Sequence, residues 1–243
     1  MSSISAYDPA AWRSMTRLTE DAPRIPVPEG FDPADPNARY GIRKRVAEDA
    51  VTAAFGDRAT IVRAHQILGW HIARDSAGQR YWPMRFAHGG EILLPGDGED
   101  RTQFIDVGDL GAFIVHLLET RATGAYHAMR GLAWRDFAAE LTALAPRGTR
   151  TRWIDETRLA AAAVRPMADL PMWVPRQRGP GFMGHDPARA EAAGLVHRPS
   201  ALLWRDIADG TRAAFPGGFA FQTSAAERPL SLARERELLA GFA

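Results

Sequence analysis

The chain has 243 residues and a formal net charge of +1, with 29 acidic and 30 basic residues interleaved along it. Phosphate binding needs cations clustered on one face, so this dispersion argues against a dedicated nucleic-acid surface. The absence of cysteine excludes disulfides, thiolate metal ligands and cysteine nucleophiles. Neither a signal-peptide pattern nor a run of about 18 apolar residues is present, so we expect a soluble, cytoplasmic protein without a membrane partner.

Hydrophobic periodicity predicts a strand, a helix and a second strand in the first part of the chain. In order, these are the end of a strand at Ser2–Tyr7, a helix from about Asn37 or Arg39 to Ala54, and a short buried strand at Ile61 and Val62. The proline-rich residues 8–38 predict a long loop. A strand, helix and strand in succession form one βαβ unit, which implies a parallel sheet.

Two short strands around a Gly-Asp turn are predicted in residues 89–106, followed by a helix at Val107–Glu119 and one strand in residues 123–131. The pattern then changes to separate helices, predicted at 134–144, 155–164, 186–194, 200–215 and 232–242. The third of these is expected to begin at Asp186 as the N-cap and to end before Gly194. The change predicts a sheet-containing half and a smaller, mostly helical lobe.

Tyr40 and Lys44 lie four residues apart at the start of the first predicted helix, and Lys44 is the one lysine among 29 arginines. Residues i and i+4 share a helix face, so the ammonium can lie near the phenol. A cation there stabilises the phenolate and makes tyrosine suitable for acid/base chemistry on alcohols and carbonyls. A hydroxyl from Ser3 or Ser5 could hold the substrate oxygen. The structural alternative is a tyrosine packed on the sheet and a lysine in solvent.

Six segments in a fixed order carry a family resemblance: "SSISAY", "TEDAP", "YGIRK", "IVRAHQILG", "RTQFIDVGDLGAFIVHLLE" and "TGAYHAMRG". From residue 2 to about residue 215, the chain resembles the extended short-chain dehydrogenase/reductase superfamily, in its NAD-dependent epimerase/dehydratase branch. The resemblance implies an α/β fold. Residues 1–131 would form the C-terminal part of a Rossmann-like parallel sheet, and residues 132–243 a smaller, mostly helical substrate lobe, interleaved with the first region.

The resemblance also implies three groups of site residues. The catalytic group is Ser3, Tyr40 and Lys44; the cofactor-binding group is Tyr40, Lys44, Ala64 and His65; and the substrate-binding group is Ser3, Gln66 and Arg101. Ser5 replaces Ser3 if the strand register shifts by two residues, and Arg101 could instead be an exposed turn arginine. The implied cofactor is NAD or NADP.

The sequence departs from the family pattern at two pairs of residues. Arg63-Ala64 stands where "RP" is common, and Gly69-Trp70 stands where "GP" is common. These departures put the details of the pocket in question while leaving the expected fold unchanged.

The Gly-rich strand-turn-helix that receives the pyrophosphate in this superfamily is not found before Ser2. We therefore expect an N-terminally truncated chain that lacks the first βαβ units. The segment Gly179–Gly184 matches the G-x-G-x-x-G expression, but a proline and polar residues precede it where a buried strand is needed. We interpret it as a turn of the substrate lobe.

The predicted function is an NAD(P)-dependent oxidoreductase, epimerase or dehydratase. It would act on a hydroxyl or carbonyl of a small molecule, such as a sugar or a secondary metabolite. The alternative is a non-catalytic remnant or binding module that has lost the cofactor site. An unpaired central strand would invite a second copy or a partner chain that completes the sheet. The seven histidines show no ligand spacing, so no metal is expected.

Overall fold

The structure is a computed structural model that describes residues 1–70, 77–221 and 229–242. The chain divides into two units, each assembled from three separate stretches. The first unit contains Met1–Ile67, Gln103–Arg130 and Arg176–His197, and the second contains Leu68–Thr102, Gly131–Pro175 and Arg198–Ala243. The boundary near residue 131 that the sequence suggested stays a prediction.

The described residues form strands and α-helices that alternate through most of the chain. The strands are β1 (Ser2–Ser3), β2 (Thr60–Ala64), β3 (Gln66–Leu68), β4 (Glu91–Pro95), β5 (Arg101–Asp106), β6 (Gly124–Ala128), β7 (Arg130–Ala133) and β8 (Arg150–Ile154). The helices are α1 (Pro9–Ser14), α2 (Tyr40–Phe55), α3 (Ala77–His88), α4 (Val107–Glu119), α5 (Trp134–Thr142), α6 (Glu156–Ala161), α7 (Ala188–Ala192), α8 (Ser200–Ala214) and α9 (Leu232–Gly241). None of these helices is long and apolar enough to cross a bilayer.

The predicted βαβ unit is present in the first unit. Strands β1 and β2 pair in parallel, with Ser3 opposite Ala64, and α2 lies between them in sequence. Strand β6 pairs with β2, also in parallel, which gives the sheet order β1-β2-β6. A second sheet has the order β3-β5-β7. The expected α/β fold class with a parallel sheet is confirmed.

Several local expectations were wrong. The first strand ends at Ser3, because Ser5 N–H donates to the Ser3 hydroxyl and residues Ile4–Ala6 turn into a 3₁₀-helix. The predicted loop contains α1, which Asp8 caps by accepting from Ala10 N–H. The single strand expected in residues 123–131 is two strands, β6 and β7.

The second unit contains a strand pair that the sequence did not predict. Strands β4 and β8 are parallel, with Glu91 opposite Arg150 and Pro95 opposite Ile154. The region after residue 131 is therefore not purely helical, because β8 lies within it.

One apolar cluster packs α4 and α7 against the sheet of the first unit. It joins side chains of β2, β6, α4 and α7 with the residues around them, namely Val62, Ala64, Ile105, Leu110, Phe113, Leu117, Tyr126, Ala128, Ala190 and Leu195. Successive side chains of a strand point to opposite faces. Val62 and Ala64 therefore face this cluster, which leaves the intervening Arg63 to the other face of the sheet.

Helix α2 begins in direct contact with the turn that follows β1. A Cβ atom added at Gly41 would lie 2.1 Å from the Ser5 carbonyl oxygen, so only glycine permits this approach. A Cβ added at Gly111, in the exposed interior of α4, would meet no heavy atom within 4 Å. A methyl group therefore fits at Gly111 but not at Gly41.

Gly41→Ala should lower the free energy of unfolding by about 1–3 kcal/mol, because the methyl group would force α2 away from Ser5. Gly111→Ala, the matched control, should raise it by about 0.5–1 kcal/mol through helix propensity alone. Urea unfolding of both variants measures the two changes. A Gly41→Ala protein as stable as the parent would contradict the close approach.

Candidate functional site

Four of the residues singled out in the sequence meet at the carboxyl ends of two neighbouring strands. Strand β1 ends at Ser3 and β2 ends at Ala64, and these two residues are register partners. Helix α2 begins at Tyr40, next to Gly41, which packs on Ser5. The start of α2 is thereby held beside the strand ends, where ligands of parallel α/β sheets commonly bind.

The side chains of Tyr40 and Lys44 lie together at this edge. Lys44 Nζ is 5.5 Å from the centroid of the Tyr40 ring and donates to the Met1 carbonyl oxygen at 3.4 Å. The Tyr40 side chain is 58% exposed. The phenol is therefore accessible from solvent, with the ammonium on the same side of the helix.

Ser3 and Ser5 form a small hydrogen-bonded pair beside the helix. The Ser3 hydroxyl donates to the Ser5 hydroxyl at 3.3 Å and accepts from Ser5 N–H at 3.2 Å. Both serines are half-buried. Either hydroxyl is near the start of α2, so the choice between them that the sequence left open stays open.

His65 and Gln66, which follow β2, differ in the hydrogen bonds that they make. His65 Nε2 lies 3.0 Å from the Phe182 carbonyl oxygen, and its ring packs on the edge of the Phe182 ring. Burial lowers the pKa of His65 to about 4. The ring is therefore neutral at pH 7, with its proton on Nε2. Gln66 Nε2 reaches the Gln103 carbonyl oxygen only at 3.5 Å.

Arg101 is the predicted site residue that does not belong to the first unit. It opens β5, and the stretch Leu68–Thr102 that contains it belongs to the second unit. Its side chain is exposed. This exposure agrees with the alternative that Arg101 is a solvent-exposed arginine. The binding of a substrate by Arg101 stays a prediction.

The sequence analysis missed the buried partner of α2, which is Arg63. Arg63 Nε donates to Glu48 Oε1 at 2.9 Å and Nη2 donates to Glu48 Oε2 at 2.7 Å. Its remaining nitrogen, Nη1, donates to the Tyr7 hydroxyl at 2.5 Å and to the Glu20 carbonyl oxygen at 2.8 Å. The available signals were an arginine inside an apolar strand and an acid four residues after Lys44.

The ionisation of this network follows from the pairing. Burial alone would raise the pKa of Glu48, but the hydrogen bond and charge of Arg63 outweigh burial and lower it. Burial alone would lower the pKa of Arg63, and Glu48 and Tyr7 outweigh burial and raise it. Burial raises the pKa of Tyr7 even though Arg63 opposes the shift. Glu48 and Arg63 are thus both charged, and the Tyr7 phenol is neutral.

Two further histidines extend the network away from Arg63. The Tyr7 hydroxyl lies 2.5 Å from His127 Nε2, and His127 Nδ1 lies 3.0 Å from the Asp186 carbonyl oxygen. Since a carbonyl only accepts, His127 carries its proton on Nδ1 and accepts from Tyr7 on Nε2. The His185 ring packs 5.2 Å from His127 and 5.8 Å from His65, measured between centroids.

These histidines are neutral because they are buried. Burial lowers the pKa of His127 to about 4, against a smaller opposing effect of the Asp186 carbonyl. Burial also lowers the pKa of His185 well below its usual value, and the neighbouring His65 acts in the same direction. Neither ring nitrogen of His185 has a hydrogen-bond partner among the residues that the structure describes.

The segment Gly179–Gly184 forms a turn, as expected, and its glycines serve packing. A Cβ at Gly181 would lie 2.5 Å from the Met15 carbonyl oxygen, and one at Gly184 would lie 2.4 Å from the Thr16 carbonyl oxygen. The turn lies in the stretch Arg176–His197 of the first unit. The backbone that a pyrophosphate would need is therefore covered by the chain that follows α1.

The residues present fit one end of a dinucleotide. An exposed phenol and a nearby ammonium at the carboxyl ends of parallel strands suit a nicotinamide riboside and a substrate oxygen. Apart from the covered turn Gly179–Gly184, no Gly-rich turn leading into a helix is found among residues 1–70, 77–221 and 229–242. The described residues could therefore hold the nicotinamide end of such a cofactor, and among them no group for its pyrophosphate is identified.

Comparison with known families gives one match within the chain. Residues 16–129 match the model of the NAD dependent epimerase/dehydratase family. This segment contains Tyr40, Lys44, Ala64, His65, Gln66 and Arg101 and begins after Ser3 and Ser5. The resemblance noted in the sequence is confirmed. No curated protein sequence matches the chain.

Solved structures share the fold at low sequence identity. The chain is similar to UDP-glucuronic acid 4-epimerase from Bacillus cereus in complex with NAD, with 15% identity, a TM-score of 0.55, and coverage of 88% of this chain and 60% of that one. It is also similar to RMD from Pseudomonas aeruginosa complexed with NADPH, with 17% identity, a TM-score of 0.54, and coverage of 87% and 65%. A third is MoeE5 in complex with UDP-glucose and NAD, with 16% identity, a TM-score of 0.51, and coverage of 88% and 64%.

At these low identities, the structural similarity establishes the fold alone. The chain spans 60% to 65% of the length of these three proteins. The expected Rossmann-like α/β architecture is confirmed, and NAD or NADPH is present in all three complexes.

The free energy of unfolding should fall as the pH is lowered from about 6.5 to about 4. Between these pH values the unfolded chain binds protons at His65 and His127 and the folded chain does not. This contribution to the free energy of unfolding is therefore fully present above about pH 6.5 and is lost as the pH falls towards about 4. The slope should approach about 1.4 kcal/mol per pH unit for each such histidine. Urea unfolding across the window measures it.

The matched variants are His185→Phe and His88→Gln. His185→Phe removes one buried imidazole and should reduce the slope by about 1.4 kcal/mol per pH unit. His88→Gln changes an exposed side chain of the second unit and should leave the slope as in the parent. Equal slopes in the parent and His185→Phe would show that the buried His185 ring does not contribute to acid stability.

Proposed function

We propose that this protein, whose residues 16–129 belong to the NAD dependent epimerase/dehydratase family, transfers hydride between NAD(P) and a hydroxyl or carbonyl of a small molecule. The observation that carries the proposal is the one lysine of the chain beside the exposed Tyr40 ring, on a helix whose start packs on Ser5, just after the carboxyl end of β1. Reduction, epimerisation and dehydration all use this tyrosine-lysine chemistry.

Tyr40 is the proposed proton donor or acceptor at the substrate oxygen. When the substrate is an alcohol, its O–H proton passes to the phenolate of Tyr40; when it is a carbonyl, the phenol returns that proton to the oxygen. The nicotinamide supplies the hydride acceptor or donor for the adjacent carbon. Lys44 stabilises the phenolate through its positive charge, and the Ser3 or Ser5 hydroxyl donates to the substrate oxygen.

The proposed subsites extend outward from the phenol. Ala64 and His65 follow β2 at the same edge and would border the nicotinamide together with Tyr40 and Lys44. Gln66 and Arg101 are proposed to bind polar groups of the substrate. The three similar structures include proteins crystallised with UDP-glucose or named for UDP-glucuronic acid. We propose a sugar or a secondary metabolite as the substrate class.

Tyr40→Phe should lower NAD(P)H-dependent turnover about a hundredfold or more, which is the usual contribution of a general acid or base. The fold should be unaffected, because the hydroxyl is exposed. Tyr126→Phe is the control, since the Tyr126 hydroxyl donates to the Thr123 carbonyl oxygen away from the strand ends. Turnover is measured by nicotinamide absorbance with a panel of nucleotide sugars, and full turnover by Tyr40→Phe would refute the proposal.

Binding separates the enzyme from the alternative of a non-catalytic module. NAD(P)H fluorescence that changes on addition of the protein, accompanied by turnover, supports the enzyme. Sub-millimolar binding without turnover of any panel substrate favours a binding module, and no binding supports a remnant without a cofactor site.

Strand β1 is proposed to receive a partner. Among the residues that the structure describes, β1 is the edge of the sheet β1-β2-β6 and pairs with β2. An edge strand offers unpaired N–H and C=O groups to another chain. Such a partner would complete the sheet and supply the pyrophosphate contacts.

The purified protein should therefore form a homo-oligomer or associate with a second chain. Sedimentation velocity over a range of concentrations measures the association, and placing a proline at Ser2 should weaken it because proline removes a backbone donor. A monomer at all concentrations would contradict this proposal and leave the tyrosine-lysine chemistry untouched.

A further inference from the structure

The helix that carries Tyr40 and Lys44 also carries a buried acid at the next position of the same face. Tyr40, Lys44 and Glu48 are spaced by four residues and therefore follow one side of α2. Along this line the side chains change from exposed to buried, since Tyr40 is 58% exposed and Glu48 is 3% exposed. Glu48 is thus the point at which this face of the helix meets the interior of the first unit.

Beyond the contact of Gly41 with Ser5 at its start, helix α2 has few buried side chains to fix its position. Among its 16 residues, the buried ones are Ile42 and Glu48. A helix with few buried apolar side chains makes few of the packing contacts that fix position and orientation, and each such contact is individually weak. The buried carboxylate of Glu48, if it has a partner of fixed geometry, therefore contributes strongly to the position of this helix.

The partner of Glu48 supplies that geometry. Both Glu48 oxygens accept from Arg63, at 2.9 and 2.7 Å, which makes a two-point contact between α2 and β2. A planar guanidinium opposite a planar carboxylate constrains orientation as well as distance. Arg63 lies immediately before Ala64, and its Nη1 also donates to the hydroxyl of Tyr7, the residue after the 3₁₀-helix.

The same guanidinium therefore touches each element of the candidate site. It is part of β2, it holds α2 through Glu48, and it holds the end of the Ser3–Ser5 turn through Tyr7. Arg24, at the rim, adds a longer contact of 3.3 Å to Glu48 Oε2. Neither Glu48 nor Arg63 has been assigned a role by the resemblance or by the family match.

We propose that Glu48 is a positioning residue, which holds Tyr40 and Lys44 at the carboxyl ends of β1 and β2 through its two-point contact with Arg63. The importance of this placement for hydride transfer rests on the proposed function. The placement itself does not, so the test measures it without substrate or cofactor.

The main variant is Glu48→Gln, which keeps the shape of the side chain and removes its charge. We expect amide hydrogen exchange in α2 to rise about tenfold, equivalent to about 1.4 kcal/mol of local opening free energy. The rate at which an amine-selective reagent modifies Lys44 should rise with it. Because Lys44 is the one lysine, mass spectrometry distinguishes its modification from that of the α-amino group.

Two controls separate positioning from general stability. Asp49→Asn removes the neighbouring acid, which is 42% exposed and pairs with Arg45 and Arg24, and should leave exchange and labelling as in the parent. Leu117→Ala weakens the apolar cluster of the same unit and should lower the melting temperature without selective exchange in α2. Equal effects of Glu48→Gln and Leu117→Ala at matched loss of melting temperature would overturn the proposal.

A conservative variant and a milder one complete the test. Glu48→Asp retains the charge and should restore part of the protection, since one of the two hydrogen bonds to Arg63 can still form. If Glu48→Gln does not fold by circular dichroism, Arg24→Gln removes the rim contact and should raise Lys44 labelling to a smaller extent. Unchanged labelling in Arg24→Gln and Glu48→Asp would overturn the proposal.

The outcomes also separate this inference from the proposed function. Higher exchange and labelling in Glu48→Gln without any NAD(P)H-dependent turnover in the parent would support positioning and refute the enzyme. Turnover in the parent that Glu48→Gln leaves unchanged, with unchanged labelling, would support the enzyme and refute positioning.

Discussion

The buried ion pair between Glu48 and Arg63 is the constraint on which the candidate site depends. Both side chains are almost completely removed from solvent, with side-chain exposures of 2% and 4%. Such a pair adds little net stability, because the cost of desolvating two charges offsets their attraction. Its consequence is geometric: removal of either partner would leave an uncompensated charge, so α2 and β2 must keep the relative position that satisfies both.

The remaining polar core of the first unit is arranged around this pair. Arg63 also donates to Tyr7, which donates to His127, and His127 donates in turn to the Asp186 carbonyl oxygen. Each donor in this chain has an acceptor, which is the condition under which buried polar groups are tolerated. The histidines take part as neutral rings, so the central charges of the network are those of Glu48 and Arg63, with Arg24 contacting Glu48 at the rim.

Close backbone approach is the second requirement, and glycine meets it. Gly41 lets α2 begin against Ser5, and Gly181 and Gly184 let their turn pack on the chain after α1. The ion pair therefore places the middle of α2, and Gly41 places its start. Together they hold the exposed Tyr40 phenol beside the strand ends, while apolar packing of α4 and α7 supports the sheet from the other face.

The sequence by itself determined the features that depend on near neighbours. Helical spacing predicted Tyr40 and Lys44 on one face, periodicity predicted α4 at Val107–Glu119, and a strand-helix-strand order predicted the parallel pairing of β1 and β2. Ordered segments also predicted the family whose model residues 16–129 match. Each of these signals lies within a short stretch of chain, where propensity and periodicity act.

Only the tertiary structure decided the contacts between distant residues. The pairing of Glu48 with Arg63, the meeting of His65, His127 and His185, and the pairing of β4 with β8 join segments that have no shared periodicity. A buried acid and a solvated one have the same local pattern in a sequence. Their difference arises when folding brings a guanidinium within hydrogen-bonding distance and excludes water, which is a property of the whole fold.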